Sequence, residues 1–148
     1  MILGSCRRYY PSFGVSWWVY WQMMNTEERA CVIGIVDDDR RVVESVWNLL
    51  ESAGYDVRLF DSGEGFLQAG AINDIDLLIC DIRMPGMDGT ELLRRLARER
   101  PRLPVILITA CSDLDLTRIQ GSNNRGVFRK PIDGTALIEA ISAAIASV

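Results

Sequence analysis

From Cys31 onward the apolar positions switch repeatedly between a strand period and a helix period, which predicts five β-strands, each followed by a helix. Cys31–Val36 (C-V-I-G-I-V) is a continuous apolar run, the pattern of a strand buried on both faces. Arg40–Ala53 carries Val42, Val43, Val46, Leu49, Leu50 and Ala53 at helical spacing, and Gly54 ends that helix. Tyr55–Phe60 alternates as a second strand, and Asp61-Ser62-Gly63 opens a short helix through Phe66 and Leu67 that ends near Gly70. Leu77–Cys80 is a third strand, with Asp81 directly after it. Met84-Pro85-Gly86 then breaks regular structure, because proline fixes φ and glycine admits positive φ. Asp88 caps a helix that runs to Arg100 with Leu92, Leu93, Leu96 and Ala97 on one face. Its basic residues, Arg94, Arg95, Arg98 and Arg100, lie toward the C-terminal end, where the macrodipole favours them. Pro104 leads into a fourth strand, Val105–Ile108; a weak helix is expected between Asp113 and Gln120, a short strand at Val127–Arg129, and a last helix at Gly134–Ser147.

Five β-α units joined by right-handed crossovers give a parallel sheet with helices on both faces. For this size the expected solution is an α/β, flavodoxin-like, doubly wound sheet of order 2-1-3-4-5 with five helices. Its switch point falls between the first and third strands, so Asp37, Asp38 and Asp81 are expected at one crevice. Carboxylates held that close repel one another unless a cation joins them. Oxygen donors without nitrogen or sulfur select Mg²⁺, which commonly takes phosphate oxygens as well. Thr109 ends the fourth strand and Lys130 the fifth, adding a hydroxyl donor and an ammonium at the same edge. These groups suit the oxygens of a transferring phosphoryl group. Singly, each has a plainer reading: Asp81 starts a turn, Thr109 caps a strand end, Lys130 is a solvated charge. Five polar residues on four strand ends at one edge do not fit those plainer readings jointly.

Composition narrows the field. With 148 residues, 49% hydrophobic and 24% charged, the chain has the balance of one globular domain with its own core. The net charge of −4 comes without a basic stripe, so nucleic-acid binding by this chain is not expected. Histidine is absent, which excludes histidine acid–base chemistry and histidine metal ligands. Cys6, Cys31, Cys80 and Cys111 have no C-x-x-C spacing and read as reduced thiols of a cytoplasmic protein.

Residues 1–29 stand apart from the domain expected at 30–148. Met1–Met24 holds Trp17, Trp18 and Trp21 with Tyr9, Tyr10 and Tyr20, and its Arg7 and Arg8 are unopposed by any acid. The apolar run Val15–Met24 is too short to span a bilayer and lacks a signal-type cleavage site, so stable membrane insertion is not expected. The readings open for it are an unstructured or non-native extension with Met24 as the natural start, a partner contact, or an interfacial anchor.

V-D-D-D at Val36–Asp39, C-D-I-R-M-P-G-M-D-G at Cys80–Gly89, I-T-A at Ile108–Ala110 and R-K-P at Arg129–Pro131 resemble the receiver domain of bacterial response regulators, nearest in flavour to FixJ-like members of the CheY-like superfamily. The resemblance implies that Asp81 is the phosphoacceptor, that Asp38 binds Mg²⁺ directly, and that Asp37 binds it through water or orients it. It implies the backbone carbonyl of Arg83 as a further ligand, Thr109 as a hydrogen-bond donor to the phosphoryl group, and Lys130 as the partner of Asp81. It also implies a cis Lys130–Pro131 peptide. The donor would be a histidine kinase or histidine phosphotransfer protein, and the output a contact with, or onward transfer to, another protein target. Because no further domain follows the last helix, a stand-alone receiver is expected, a phosphoacceptor signalling protein rather than an enzyme.

Two features depart from the pattern. Receivers place a switch aromatic three residues before the lysine, where this chain has Val127, with Phe128 one position later. The stretch Cys111–Gly126 also runs about one residue short, and Gly121-Ser122-Asn123-Asn124 is polar where the fourth helix would continue. A one-residue slip reverses facing in a strand, which would turn Phe128 inward as the switch beside Thr109. Arg83 and Cys111 occupy positions that tune phosphoryl lifetime in receivers. Three other classes stay open: a degenerate receiver acting as a phosphorylation-independent binding module, a flavodoxin-like cofactor holder, and a Cys80–Cys111 redox pair.

Overall fold

Every residue of the third and fourth strands is buried, as their unbroken apolar runs predict for the middle of a sheet covered on both faces. The computed structural model describes residues 30–110, 119, 121 and 123–147. Within them the elements run β1 (Val32–Val36), α1 (Arg40–Ser52), β2 (Asp56–Phe60), α2 (Gly63–Gln68), a 3₁₀ turn (Ala71–Asn73), β3 (Leu77–Asp81), α3 (Gly89–Glu99), β4 (Val105–Thr109), β5 (Asn124–Arg129) and α4 (Gly134–Ala146). The sheet is parallel throughout, in the order β2-β1-β3-β4-β5 expected from the sequence. The segment 1–29, Cys111 and nearly all of the helix expected at Asp113–Gln120 lie outside the described residues. Among the described residues no helix is long and apolar enough to cross a membrane.

Successive residues of a strand point to opposite faces, so each central strand feeds two cores. Leu78, Cys80, Val105 and Leu107 meet α2 and α3 through Phe66, Leu92, Leu93 and Leu96. Leu77, Ile79, Ile106 and Ile108 meet α1 and α4 through Val46, Leu50, Leu137 and Ile141. Each fully buried side chain of this size contributes about 1.5–3 kcal/mol. The helices begin where the sequence offers short polar side chains. Asp39 accepts from the Arg41 amide at 3.0 Å, Ser62 from Gly65 at 2.9 Å, Asp88 from Glu91 at 2.9 Å and Asp133 from Thr135 at 3.0 Å.

Two details differ from the sequence expectation. Arg100, expected only to complement a helix end, sends its guanidinium to the main-chain carbonyls of Ile72 and Ile75, tying the 3₁₀ turn to the end of α3. β5 begins at Asn124 rather than Val127, and its pairing with β4 jumps from Val105↔Asn124 to Leu107↔Val127. Two steps on β4 therefore face three on β5, a bulge at Arg125–Gly126 where Gly126 adopts φ 151°. From there the register is regular, with Ile108 opposite Phe128 and Thr109 opposite Arg129.

Candidate functional site

The carboxyl ends of β1, β3, β4 and β5 converge where the strand order reverses, the expected place for a site in an open parallel sheet. β1 delivers Asp37, whose main-chain amide donates to the Phe60 carbonyl at 3.2 Å. β3 delivers Asp81 as its last residue, and the next amide, Ile82, donates to Ile108 at 2.8 Å. β4 delivers Thr109, fully buried, whose carbonyl accepts from the Lys130 amide at 2.8 Å. The Lys130–Pro131 peptide is cis, as the resemblance implied.

One ammonium serves two carboxylates: Lys130 Nζ lies 3.1 Å from Asp37 Oδ2 and 3.2 Å from Asp81 Oδ2. Asp37 and Asp81 are only 2% and 5% exposed, whereas Asp38 is open to solvent. The second oxygens are also engaged: Asp37 Oδ1 accepts from the Asp39 amide at 2.9 Å, and Asp81 Oδ1 from the Arg83 amide at 3.3 Å. One carboxylate oxygen from each of Asp37, Asp38 and Asp81 falls within 4.8 Å of the others. Three clustered acids thus have one lysine, paired with two of them, and the electrostatics register the excess. Burial, reinforced by the charge of Asp81, pushes the Asp37 carboxyl up to about 6 against the lowering effects of the Asp39 amide and Lys130. Burial opposes the Lys130 charge, but Asp37 and Asp81 outweigh it and raise that pKa. Burial first, then the neighbouring carboxylates, pushes the Cys80 thiol up, and its Sγ–H donates to the Asp81 carbonyl. A thiol so disfavoured as thiolate does not support the redox reading on its side, and Cys111 lies outside the described residues.

The donor set fits Mg²⁺. It consists of hard oxygens only, one of them on a buried acid whose anion is under-compensated. A pH dependence follows. Asp37 stays protonated in the folded chain where an unfolded chain has already ionised it, so metal-free stability falls as pH rises from 3.8 to about 6. Melting in metal-free buffer is expected to show this fall in the wild type and a smaller one in Asp37→Asn. The Mg²⁺-induced rise in Tm is expected to be larger above that window than below it, because the cation must displace the proton. A pH-independent Mg²⁺ effect would contradict the assignment.

The sequence-predicted residues Asp37, Asp38, Asp81, Thr109 and Lys130 come together at this edge, and the Arg83 main chain adjoins Asp81. Phe128 does not join them: it packs with the α1/α4 cluster, while Val127 packs on the α2/α3 side. By alternation along β4, Thr109 falls on the α2/α3 side, so the inward turn expected of Phe128 does not occur. Glu64 was not anticipated as part of this region. Its carboxylate accepts from the Met87 amide at 2.7 Å, in the loop following Asp81. In the sequence it reads only as an acid in the first turn of a helix, and nothing in the spacing connects it to a residue 23 positions away.

A doubly wound parallel sheet with three carboxylates and a lysine at its switch point defines the class of CheY-like α/β proteins. Residues 33–142 match the response regulator receiver domain, and the chain belongs to that family. It is 34% identical over 115 residues to the transcriptional regulatory protein FixJ of Bradyrhizobium diazoefficiens, covering 76% of this chain and 56% of that protein. It is 39% identical over 114 residues to the DNA-binding transcriptional regulator NtrC of Escherichia coli, covering 73% of this chain and 24% of NtrC. The chain therefore spans from about a quarter to about half the length of these relatives. Among solved structures, FixJ-N superposes with TM-score 0.70 at 32% identity, covering 81% of this chain and 97% of that one. A CheY-like receiver domain protein from Methanospirillum hungatei superposes with TM-score 0.71 at 28% identity, covering 80% and 95%. Receiver domains of two-component systems are phosphoacceptor signalling modules that take phosphoryl groups from histidine kinases and generally bind Mg²⁺ at an acidic cluster.

Proposed function

We propose that residues 30–148 form a cytoplasmic receiver that accepts a phosphoryl group on Asp81 from a histidine kinase or histidine phosphotransfer protein. The observation that carries this reading is the single Lys130 ammonium within 3.2 Å of both Asp37 and Asp81. Asp81 supplies a carboxylate oxygen that attacks the phosphorus of the donor phosphohistidine in line. The new O–P bond forms as the N–P bond breaks, and that electron pair stays on the imidazole nitrogen of the donor. Lys130, already against Asp81 Oδ2, offers its ammonium to a phosphoryl oxygen, and the Thr109 hydroxyl offers a hydrogen bond to another. Mg²⁺, held by Asp37, Asp38, Asp81 and the Arg83 carbonyl, would supply positive charge against the phosphoryl oxygens. The test is Mg²⁺-dependent labelling by acetyl phosphate in the wild type and its loss in Asp81→Asn. Output passes to another protein, through contact or onward transfer.

Coupling to output is expected to be weak on the β5 side. A ligand shifts a two-state equilibrium only through its differential interaction with the two states. On the face shared by Thr109 and Val127, β5 contributes no ring to follow the hydroxyl, and Phe128 is committed to the α1/α4 cluster. Adding beryllofluoride should therefore shift the amide NMR signals of Thr109 and the residues just after it more than those of β5 and α4. Large shifts at Phe128 and across α4 would show an intact aromatic switch and overturn the expectation.

A further inference from the structure

The loop Arg83–Asp88 joins the phosphoacceptor strand to α3. Among the described residues, no main-chain to main-chain hydrogen bond engages Arg83 to Met87. Carboxylates do that work instead. Asp81 Oδ1 accepts from the Arg83 amide at one end, and Glu64 Oε1, projecting from α2, accepts from the Met87 amide at the other. The fit around Glu64 is close. A Cβ added to Gly86, which has φ 79°, would lie 2.6 Å from Glu64 Oε1, and one added to Gly63 would lie 3.2 Å from the Met87 sulfur. Met84 and Met87 are buried in the α2/α3 core, so the loop is seated by two side chains below and one carboxylate at its flank. A helix of only six residues has little macrodipole for Glu64 to complement. Its own amide and that of Met87 hold the carboxyl below the usual range, consistent with an anion serving as acceptor.

We infer that Glu64 is a positioning residue for the metal crevice: by holding the Met87 amide it fixes the loop whose first residue, Arg83, presents main-chain groups beside Asp81. This rests on the reading of Asp81 and Arg83 given above. Glu64 touches neither the phosphoryl group nor the ion; it acts through the backbone between Met87 and Arg83.

Magnesium titrations followed by Tm, on the full chain as wild type, Glu64→Ala, Glu64→Gln and Glu64→Asp, test it. The Mg²⁺ concentration for half-maximal stabilisation should rise about tenfold in Glu64→Ala, the scale on which supporting groups tune metal sites. Glu64→Gln keeps the acceptor oxygen and should return within about twofold of wild type. Glu64→Asp, one methylene short of Met87, should behave like Glu64→Ala and carries the test if the alanine variant does not fold. Hydrogen exchange of the Met87 amide should quicken in the same variants. A lower metal-free Tm with unchanged half-saturation would make Glu64 a structural clamp only and overturn the inference. A wild type blind to Mg²⁺ would overturn the metal reading and this inference together. A wild type that responds, with Glu64→Ala responding equally, would overturn this inference alone.

Discussion

Asp81→Asn is expected to reduce Mg²⁺-dependent labelling by acetyl phosphate to background while leaving the protein folded. The amide is nearly isosteric with the carboxylate but offers no anionic oxygen to form the acyl phosphate. Stability should not fall with it. Asp37 and Asp81 share Lys130 in the wild type with Asp38 close by, and Lys130 keeps Asp37 at 3.1 Å when Asp81 is neutral. Removing one anion from an under-compensated cluster relieves repulsion, so the metal-free Tm should hold or rise. Phosphate-affinity electrophoresis separates the outcomes. Equal labelling of both proteins would place the acceptor elsewhere. No labelling of the wild type, with a small-molecule donor or a cognate kinase, would favour a degenerate receiver that binds partners without phosphorylation.

The gathering of carboxylates at one sheet edge was legible because Asp37 and Asp81 stand immediately after apolar runs. A strand buried on both faces leaves an unmistakable run, and the first polar residue after it must emerge at the sheet edge, as Asp37 and Asp81 do. Connection rules then place those ends side by side without any distance being known. Strand β5 was read short because Asn124, Arg125 and Gly126 are poor strand formers, and their pairing is set by β4 rather than by their own propensity. The bulge at Gly126 has no sequence period, so which way Phe128 faces could be settled only by the register with Ile108. The long-range contacts of Arg100 and Glu64 escaped the sequence for one reason. Each fits a local helix-end pattern, and each spends its charge on main-chain groups of another element, 25 and 23 residues away respectively.

Gly89→Ala is expected to be among the most destabilising single substitutions in this domain, about 3 kcal/mol in urea unfolding. Intrinsic propensity argues the other way: alanine within a helix is favoured over glycine by about 1 kcal/mol. Packing decides. Gly89 is buried at the first position of α3, its amide donating to the Ile82 carbonyl at 2.8 Å. A Cβ there would run into the Asp81 carbonyl oxygen and stand 2.8 Å from Ile82 Cα, both main-chain atoms with no rotamer to yield. Relief would require α3 to move off the end of β3, displacing Asp81 itself, so labelling should fall along with stability. Gly63→Ala is the informative control. The three atoms nearest its added Cβ all belong to the Met87 side chain, the flexible thioether at 3.2 Å, so its cost should stay within about 1 kcal/mol. Equal, small losses in the two variants would mean that α3 rides freely on β3. The close approach of the helix start to β3 would then not be what holds Asp81 in place.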